Sequence, residues 1–486
     1  MSDEKRNLPL PTQCYVGGEW IDARSGERIA VQDPGTGDEI GSVPSLGAEE
    51  TRAAIDAAAQ ALPEWRSRTA AERSAVLRRW FELMHEHADE LAQILTMEQG
   101  KPLAEARNEV LAGASFLEYY AEEGKRVGGD VLTTDRADRR LMVIRQPVGV
   151  VAAITPWNFP SSMIMRKVAP AVAVGCTTVV KPAENTPLSA LALAVLAEAA
   201  GLPAGVLNVI TGDARVIGAE LTSSKVVRKL SFTGSTEVGK ILSRQSADTL
   251  KRLSMELGGN APLIVFEDAD IDLAVKGAVA AKFRNAGQTC VAANRIYVQA
   301  AVYDEFLDRF SEAASQLVVA HGTEAGAEVG PLIDAGAVTK VEGLLEDAVA
   351  RGGKVVTGGR RHPRGALYFE PTIVANATDD MAASCSEIFG PVAPVYRFET
   401  EDEVVTRAND TDYGLAAYIY ANDYRRIWRV SEALEYGMVG VNESIVATAV
   451  APFGGVKESG TGREGSRYGI EDYTELKYIC LGGMTR

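Results

Sequence analysis

Several things are scarce in this sequence, and each shortage removes a class of function. Histidine occurs four times in 486 residues, as His85, His87, His321 and His362. The first two fall on a polar helical face and the others in Gly- or Pro-rich loops. None offers a promising partner for a Cys–His hydrolase. Cysteine is nearly as rare: Cys14, Cys176, Cys290, Cys385 and Cys480 stand far apart, with no C-x-x-C pair. That argues against a zinc site or a disulfide scaffold and for a reducing compartment, and no metal is expected. Long apolar runs are missing as well; "LSALALAVLA" from Leu188 is too short to span a bilayer. Met1 to Pro11 is polar and lacks the apolar core of a signal peptide. Basic charge is outnumbered, 50 Lys and Arg against 66 Asp and Glu, for a net charge of −16. Such a surface repels nucleic acid and anionic membranes. With no fixed-period repeat and no low-complexity tract, solenoids and disordered tails are also excluded. A soluble cytoplasmic protein is expected.

What is present is material for a large core. At 46% hydrophobic over 486 residues, the chain can build two or three domains. From Thr51 to about Tyr120 apolar residues recur at helical spacing. Gly124 to Arg140 is polar and Gly-rich, either an arm leaving the body or a surface loop. From Val148 short apolar strands alternate with helices: "VGVVAAI", then Ser161 to Val174, "TTVVK", Pro187 to Ala200, "GVLNVI" and "KLSFTG". A second series runs through "APLIVF", "RIYV", "KVVTGG" and "GLAAYIY". This rhythm predicts two α/β units with parallel sheets, divided near Leu257 to Ala261.

Four stretches carry candidate chemistry. "GSTEVGKI", Gly234 to Ile241, has the spacing of a P-loop, but Ile241 stands where a magnesium-binding hydroxyl is needed. An ATPase is therefore rejected. The strand–Gly–Ser–helix turn can still receive a phosphate at the helix N-terminus, or be an ordinary capped turn. In "KPAENTP", Lys181 and Glu184 follow a strand, where a carboxylate can accept the hydroxyls of a ribose; the alternative is a solvated ion pair. In "TPWNFP", two prolines fix a loop from which Asn158 can donate to an oxyanion; the alternative is a turn around a core tryptophan. In "FRNAGQTCVAANR", Cys290 sits in a polar turn, which fits an exposed thiol better than a small buried hydrophobe.

Taken in order, "TPWNFP", "KPAENTP", "FTGSTEVG", "MELGGNAP", "GQTC", "EIFGPV" and "PFGGVKESGTGREG" resemble the aldehyde dehydrogenase superfamily, from about Tyr15 to the C-terminus. The resemblance implies a Rossmann-type cofactor domain (1–122 and 146–256), a second α/β catalytic domain (257–467) and a small β oligomerisation arm (123–145 and 468–486). It implies Cys290 as nucleophile, Glu256 as general base, and Asn158 with the Cys290 backbone N–H as oxyanion donors. Lys167 would assist proton traffic or form a structural ion pair. NAD, with NADP possible, would lie against Trp157, Asn158, Lys181, Pro182, Ala183, Glu184, Gly234, Ser235, Leu257, Glu387 and Phe389. A homodimer or homotetramer follows.

Within the superfamily the chain is most similar to the succinate-semialdehyde branch, through "AAITPWNFPSSMIMRKVAPA", "KFRNAGQTCVAANRIYVQ", "ALEYGMVGVN" and "YGIEDYTELKYIC". That implies oxidation of a short ω-carboxy aldehyde, with Arg166 and Arg284 clamping the carboxylate; a structural salt bridge is the alternative for each. In "GVNESIVATAVAPFGG", Ala447 and Thr448 stand where serines are common, leaving Thr448 as the one hydroxyl donor. Glutarate semialdehyde is thereby a rival substrate. Ala292 replaces a second cysteine, so no disulfide switch is expected there. A broad-specificity aldehyde dehydrogenase and a non-catalytic protein of the same fold remain as alternatives. Two guanidinium groups in an apolar tunnel oppose the first, and the presence of Cys290, Glu256 and Asn158 opposes the second.

Overall fold

A computed structural model describes Leu8 and residues 10–484. Most of the polar start read from Met1 to Pro11, and residues 485–486 of the expected arm, lie outside the described residues.

The alternating segments form two main sheets. The first has five parallel strands at its centre, in the order Arg252–Glu256, Val227–Thr233, Val150–Ile154, Thr177–Lys181 and Leu207–Val209. The strand order reverses between Val150–Ile154 and Val227–Thr233. Their carboxyl ends, Ile154 and Thr233, therefore open on the crevice where α/β sheets receive ligands. Helix Ser162–Val174 is buried along its whole length, as expected of a helix apolar on nearly every face. It carries Arg166 and Lys167.

The second sheet runs Lys354–Thr357, Thr372–Ala375, Val392–Phe398, Ala293–Gln299, Ala261–Val265, Ala416–Tyr420 and Met438–Val441. All its pairs are parallel except the first, at one edge. The chain leaves the first sheet at Glu256 and enters the second at Ala261, so "LGGN" is the only link between the two strands.

The first sheet differs from the expected parallel one at both edges. Cys14–Val16 and Glu19–Ile21 join one edge antiparallel, and Gly460–Thr461 joins the other against Met255 and Glu256. These strands have two or three residues each, too short for any periodicity to be read. The polar segment after Gly124 is a β arm: Asp130–Leu132 and Thr474–Leu481 flank Arg140–Pro147 in an antiparallel sheet. Among the described residues no helix is long and apolar enough to cross a membrane.

Candidate active site

The loop that presents Cys290 is strained and heavily braced. Helix Ile271–Phe283 ends, and Asn285, Ala286 and Gly287 follow with φ of +52°, +55° and +75°. A left-handed alanine costs about 1 kcal/mol, so the neighbours must enforce it. Asn285 does so from every side. Its backbone N–H donates to Glu105 Oε2 (2.9 Å), its amide donates to the carbonyls of Asn158 (3.1 Å) and Gln288 (3.2 Å), and its Oδ1 accepts from Gln99 (3.0 Å). Gln288 accepts the Ile333 N–H (2.9 Å) and donates to the Pro331 carbonyl (3.3 Å). From beneath, the Cys290 carbonyl rests on Gly259, where an added Cβ would lie 2.1 Å from that oxygen. Glycine in "LGGN" is what lets the end of the Glu256 strand approach the cysteine loop.

The Asn158 loop is held by a buried ion pair. Lys101 Nζ donates to Glu109 Oε2 (2.6 Å) and to the Asn158 carbonyl (2.7 Å), while Glu109 Oε1 accepts the N–H groups of Ser161 (2.9 Å) and Ser162 (3.2 Å). The Asn158 amide donates one hydrogen to the Gln288 carbonyl at 3.0 Å, which leaves its second hydrogen free.

Burial opposes ionisation of both Cys290 and Glu256. Cys290 keeps slight exposure, but dense surroundings push its thiol up to about 12, chiefly by burial and then by Glu387, against the pull of Arg166. Glu256 is also raised well above the ordinary carboxylate range, by burial and then by Glu464, with Lys167, Arg166 and Arg463 opposing. Neither oxygen of Glu256 has a hydrogen-bond partner. Lys167 is ion-paired with Glu464, both side chains buried.

Two cavities meet at Cys290. One, of about 450 Å³, runs from the switch crevice; Trp157, Asn158, Lys181, Ala183, Glu184, Gly234, Ser235, Leu257, Glu387 and Phe389 all line it. The other, of about 490 Å³, is lined by Arg166, Arg284 and Thr448 among others. A thiol shared by a cleft lined with the expected cofactor residues and a pocket lined with the expected substrate residues fits the family resemblance. The model of the aldehyde dehydrogenase family matches residues 20–479.

The chain belongs to the aldehyde dehydrogenase family.

It is 59% identical over 470 residues to the succinate-semialdehyde dehydrogenase [NADP(+)] GabD of Escherichia coli (strain K12), covering 97% of this chain and 98% of that one. It is 58% identical over 472 residues to a glutarate-semialdehyde dehydrogenase of Pseudomonas aeruginosa, covering 97% and 98%. The solved succinate-semialdehyde dehydrogenase of Burkholderia pseudomallei superposes with a TM-score of 0.98 at 57% identity, over 99% of this chain and 100% of that one. The expected fold, a Rossmann-type unit with a second α/β unit and a β arm, is the observed one. As an aldehyde dehydrogenase this protein uses NAD(P).

The first cleft fits such a cofactor. Phe232, Val238 and Leu242 give it an apolar wall for a flat base. Beside them helix Thr236–Ser246 offers its N-terminus, with Ser235 as cap to Val238 N–H (3.3 Å). Lys240, the lysine of the discarded P-loop, instead pairs with Glu458 (2.7 Å). Lys181 donates to Glu184 (2.6 Å), so the two residues form an ion pair and also face the cleft. At the Cys290 end Trp157 and Phe389 meet edge-to-face, 5.5 Å apart. Glu387 accepts the Gly259 N–H (3.0 Å), and burial raises its carboxyl to about 7. Pro182 does not line the cleft; its carbonyl accepts from Lys181 (3.1 Å).

The sequence reading missed Lys101, Glu105, Glu109, Asn285, Gln288 and Glu464. Asn285 and Gln288 were in the quoted "FRNAGQTC" stretch, and Glu464 in "GREG". Glu105 and Glu109 lie in an ordinary helix and Lys101 in the turn before it, and neither gave a signal.

Proposed function

We propose that this enzyme oxidises succinate semialdehyde to the dicarboxylic acid, with NAD preferred over NADP. The observation that carries the reading is Arg166. Its Nε and Nη1 are buried without a hydrogen-bond partner, and its guanidinium lies over the rings of Phe453 (4.2 Å) and Phe116 (5.3 Å) inside the cavity that ends at Cys290. A buried cation left unpaired is costly, and a substrate carboxylate removes the cost through two parallel hydrogen bonds. Arg284 and the Thr448 hydroxyl complete the tail site.

In this reading the Cys290 sulfur bonds to the aldehyde carbon while Glu256 takes the thiol proton. The carbonyl oxygen becomes an oxyanion held by the Asn158 amide and the Cys290 backbone N–H. Lys181, Glu184, Ser235 and Glu387 would hold NAD(P), which would supply the hydride acceptor for oxidation to the thioester. Glu256 releases that first proton to solvent and then takes one from water, whose oxygen bonds to the acyl carbon as the carbon–sulfur bond breaks; the departing Cys290 thiolate recovers its proton from Glu256. Lys167, paired with Glu464, tunes the Glu256 charge without touching substrate.

NAD preference rests on the Glu184 carboxylate, which repels a 2′-phosphate; the relative named as NADP-dependent makes this a point to test. Glutarate semialdehyde is the second reading, favoured by the single hydroxyl at Thr448 between Ala447 and Ala449. Subunits pair through the arm, where Val131, Leu476 and Tyr478 are 78%, 64% and 58% exposed. A cytoplasmic location agrees with widely separated cysteines. The test is kcat/KM for succinate semialdehyde, glutarate semialdehyde and butanal, in wild type and in Arg166→Leu. We expect butanal to trail the acids by about a hundredfold, a margin Arg166→Leu abolishes. Equal use of butanal by the wild type refutes the carboxylate-tail reading.

A further inference from the structure

The substrate cavity holds acids as well as arginines. Glu105 and Glu109 share its wall with Arg166 and Arg284. Glu109 is fully engaged by Lys101 and by the Ser161 and Ser162 N–H groups. Glu105 differs. It stands in the first turn of helix Leu103–Glu123, and its Oε2 accepts the Asn285 N–H next to Arg284. Burial raises its carboxyl above the usual carboxylate range, with Lys101 and then Arg284 opposing that rise. Lys101 already answers to Glu109. The charges still facing the cavity are thus two guanidiniums and one carboxylate, a single net positive charge.

We infer that Glu105 sets the charge of the tail this enzyme accepts: by cancelling one guanidinium it selects an aldehyde with a singly charged tail and rejects one with a doubly charged tail, such as a phosphorylated aldehyde. The inference rests on the carboxylate-tail reading above and deepens it. Electrostatic selection of this kind is a difference between partners, and it needs a repulsive element as well as an attractive one. Glu105 is a specificity-determining residue rather than a catalytic one.

The test compares kcat/KM for succinate semialdehyde, glyceraldehyde 3-phosphate and butanal at low ionic strength, in wild type and Glu105→Gln. Glutamine still accepts the Asn285 N–H, and butanal reports any disturbance of the cysteine loop. Normalised to butanal, the ratio of the phosphorylated aldehyde to succinate semialdehyde should rise on the order of tenfold in Glu105→Gln. The gain should shrink as salt is added. Glu105→Ala, which also drops the hydrogen bond, should shift the ratio the same way, while Glu105→Asp should keep the wild-type ratio. An unmoved ratio, a shift insensitive to salt, or equal collapse of all three rates in both neutral variants overturns the inference. If the wild type uses butanal as well as succinate semialdehyde, the underlying reading fails; if only the ratio stays fixed, Glu105 alone has been misassigned.

Discussion

The two cavities that meet at Cys290 treat their polar groups differently. In the cofactor cleft the charged groups and the helix cap are engaged, Lys181 with Glu184, Ser235 with the helix it caps, Glu387 with the Gly259 N–H, while the Thr155 and Thr233 hydroxyls there have no partner. In the substrate cavity and at the centre they stand unmatched: Arg166 Nε and Nη1, both oxygens of Glu256, and Asn158 Oδ1. Buried polar atoms are nearly always paired, so a buried guanidinium and a buried carboxylate left unpaired around one thiol mark where a ligand completes the structure. The cleft is a preformed cradle for a large molecule; the pocket stores its cost until a small anion arrives.

Replacing the atom the cavities share has the largest effect. Cys290→Ala should lower aldehyde oxidation by about four powers of ten or more, measured as NADH formation, while NADH affinity by fluorescence titration changes by no more than about twofold. If activity survives, the shared sulfur is not what joins the two sites. A smaller effect confined to the cleft is expected from Glu184→Ser. Removing that carboxylate should lower the ratio of kcat/KM with NAD to that with NADP by about tenfold and leave aldehyde discrimination alone. An unchanged ratio refutes the repulsion argument.

The smallest effect sharpens the picture of the centre. Glu256 acts as a base only when deprotonated, and its carboxyl is raised partly by Glu464. Activity should therefore rise with pH through the Glu256 titration. Glu464→Gln removes a negative charge, lowers that pKa, and should move the rising limb about 1 unit toward acid; Lys167→Met removes a positive charge and should move it toward alkali. A limb that stays put in both variants means a different group limits the rate.

The sequence by itself determined the strand–helix alternation, the break near Leu257, and the ordered motifs that carry Cys290, Glu256 and Asn158. Those signals are local: a periodicity, a glycine turn, a fixed proline. Only the tertiary structure decided what is held by residues far apart in the chain. Lys101, in the turn before helix Leu103–Glu123, and Glu109, on that helix, brace the Asn158 loop from some fifty residues earlier, Glu464 reaches Lys167 from nearly three hundred residues away, and the edge strands of the first sheet are too short to leave a pattern. The state of the thiol was settled there too. A cysteine in a polar turn reads as exposed, but its ionisation follows from the density of protein packed around it, and burial is a property of the assembled fold.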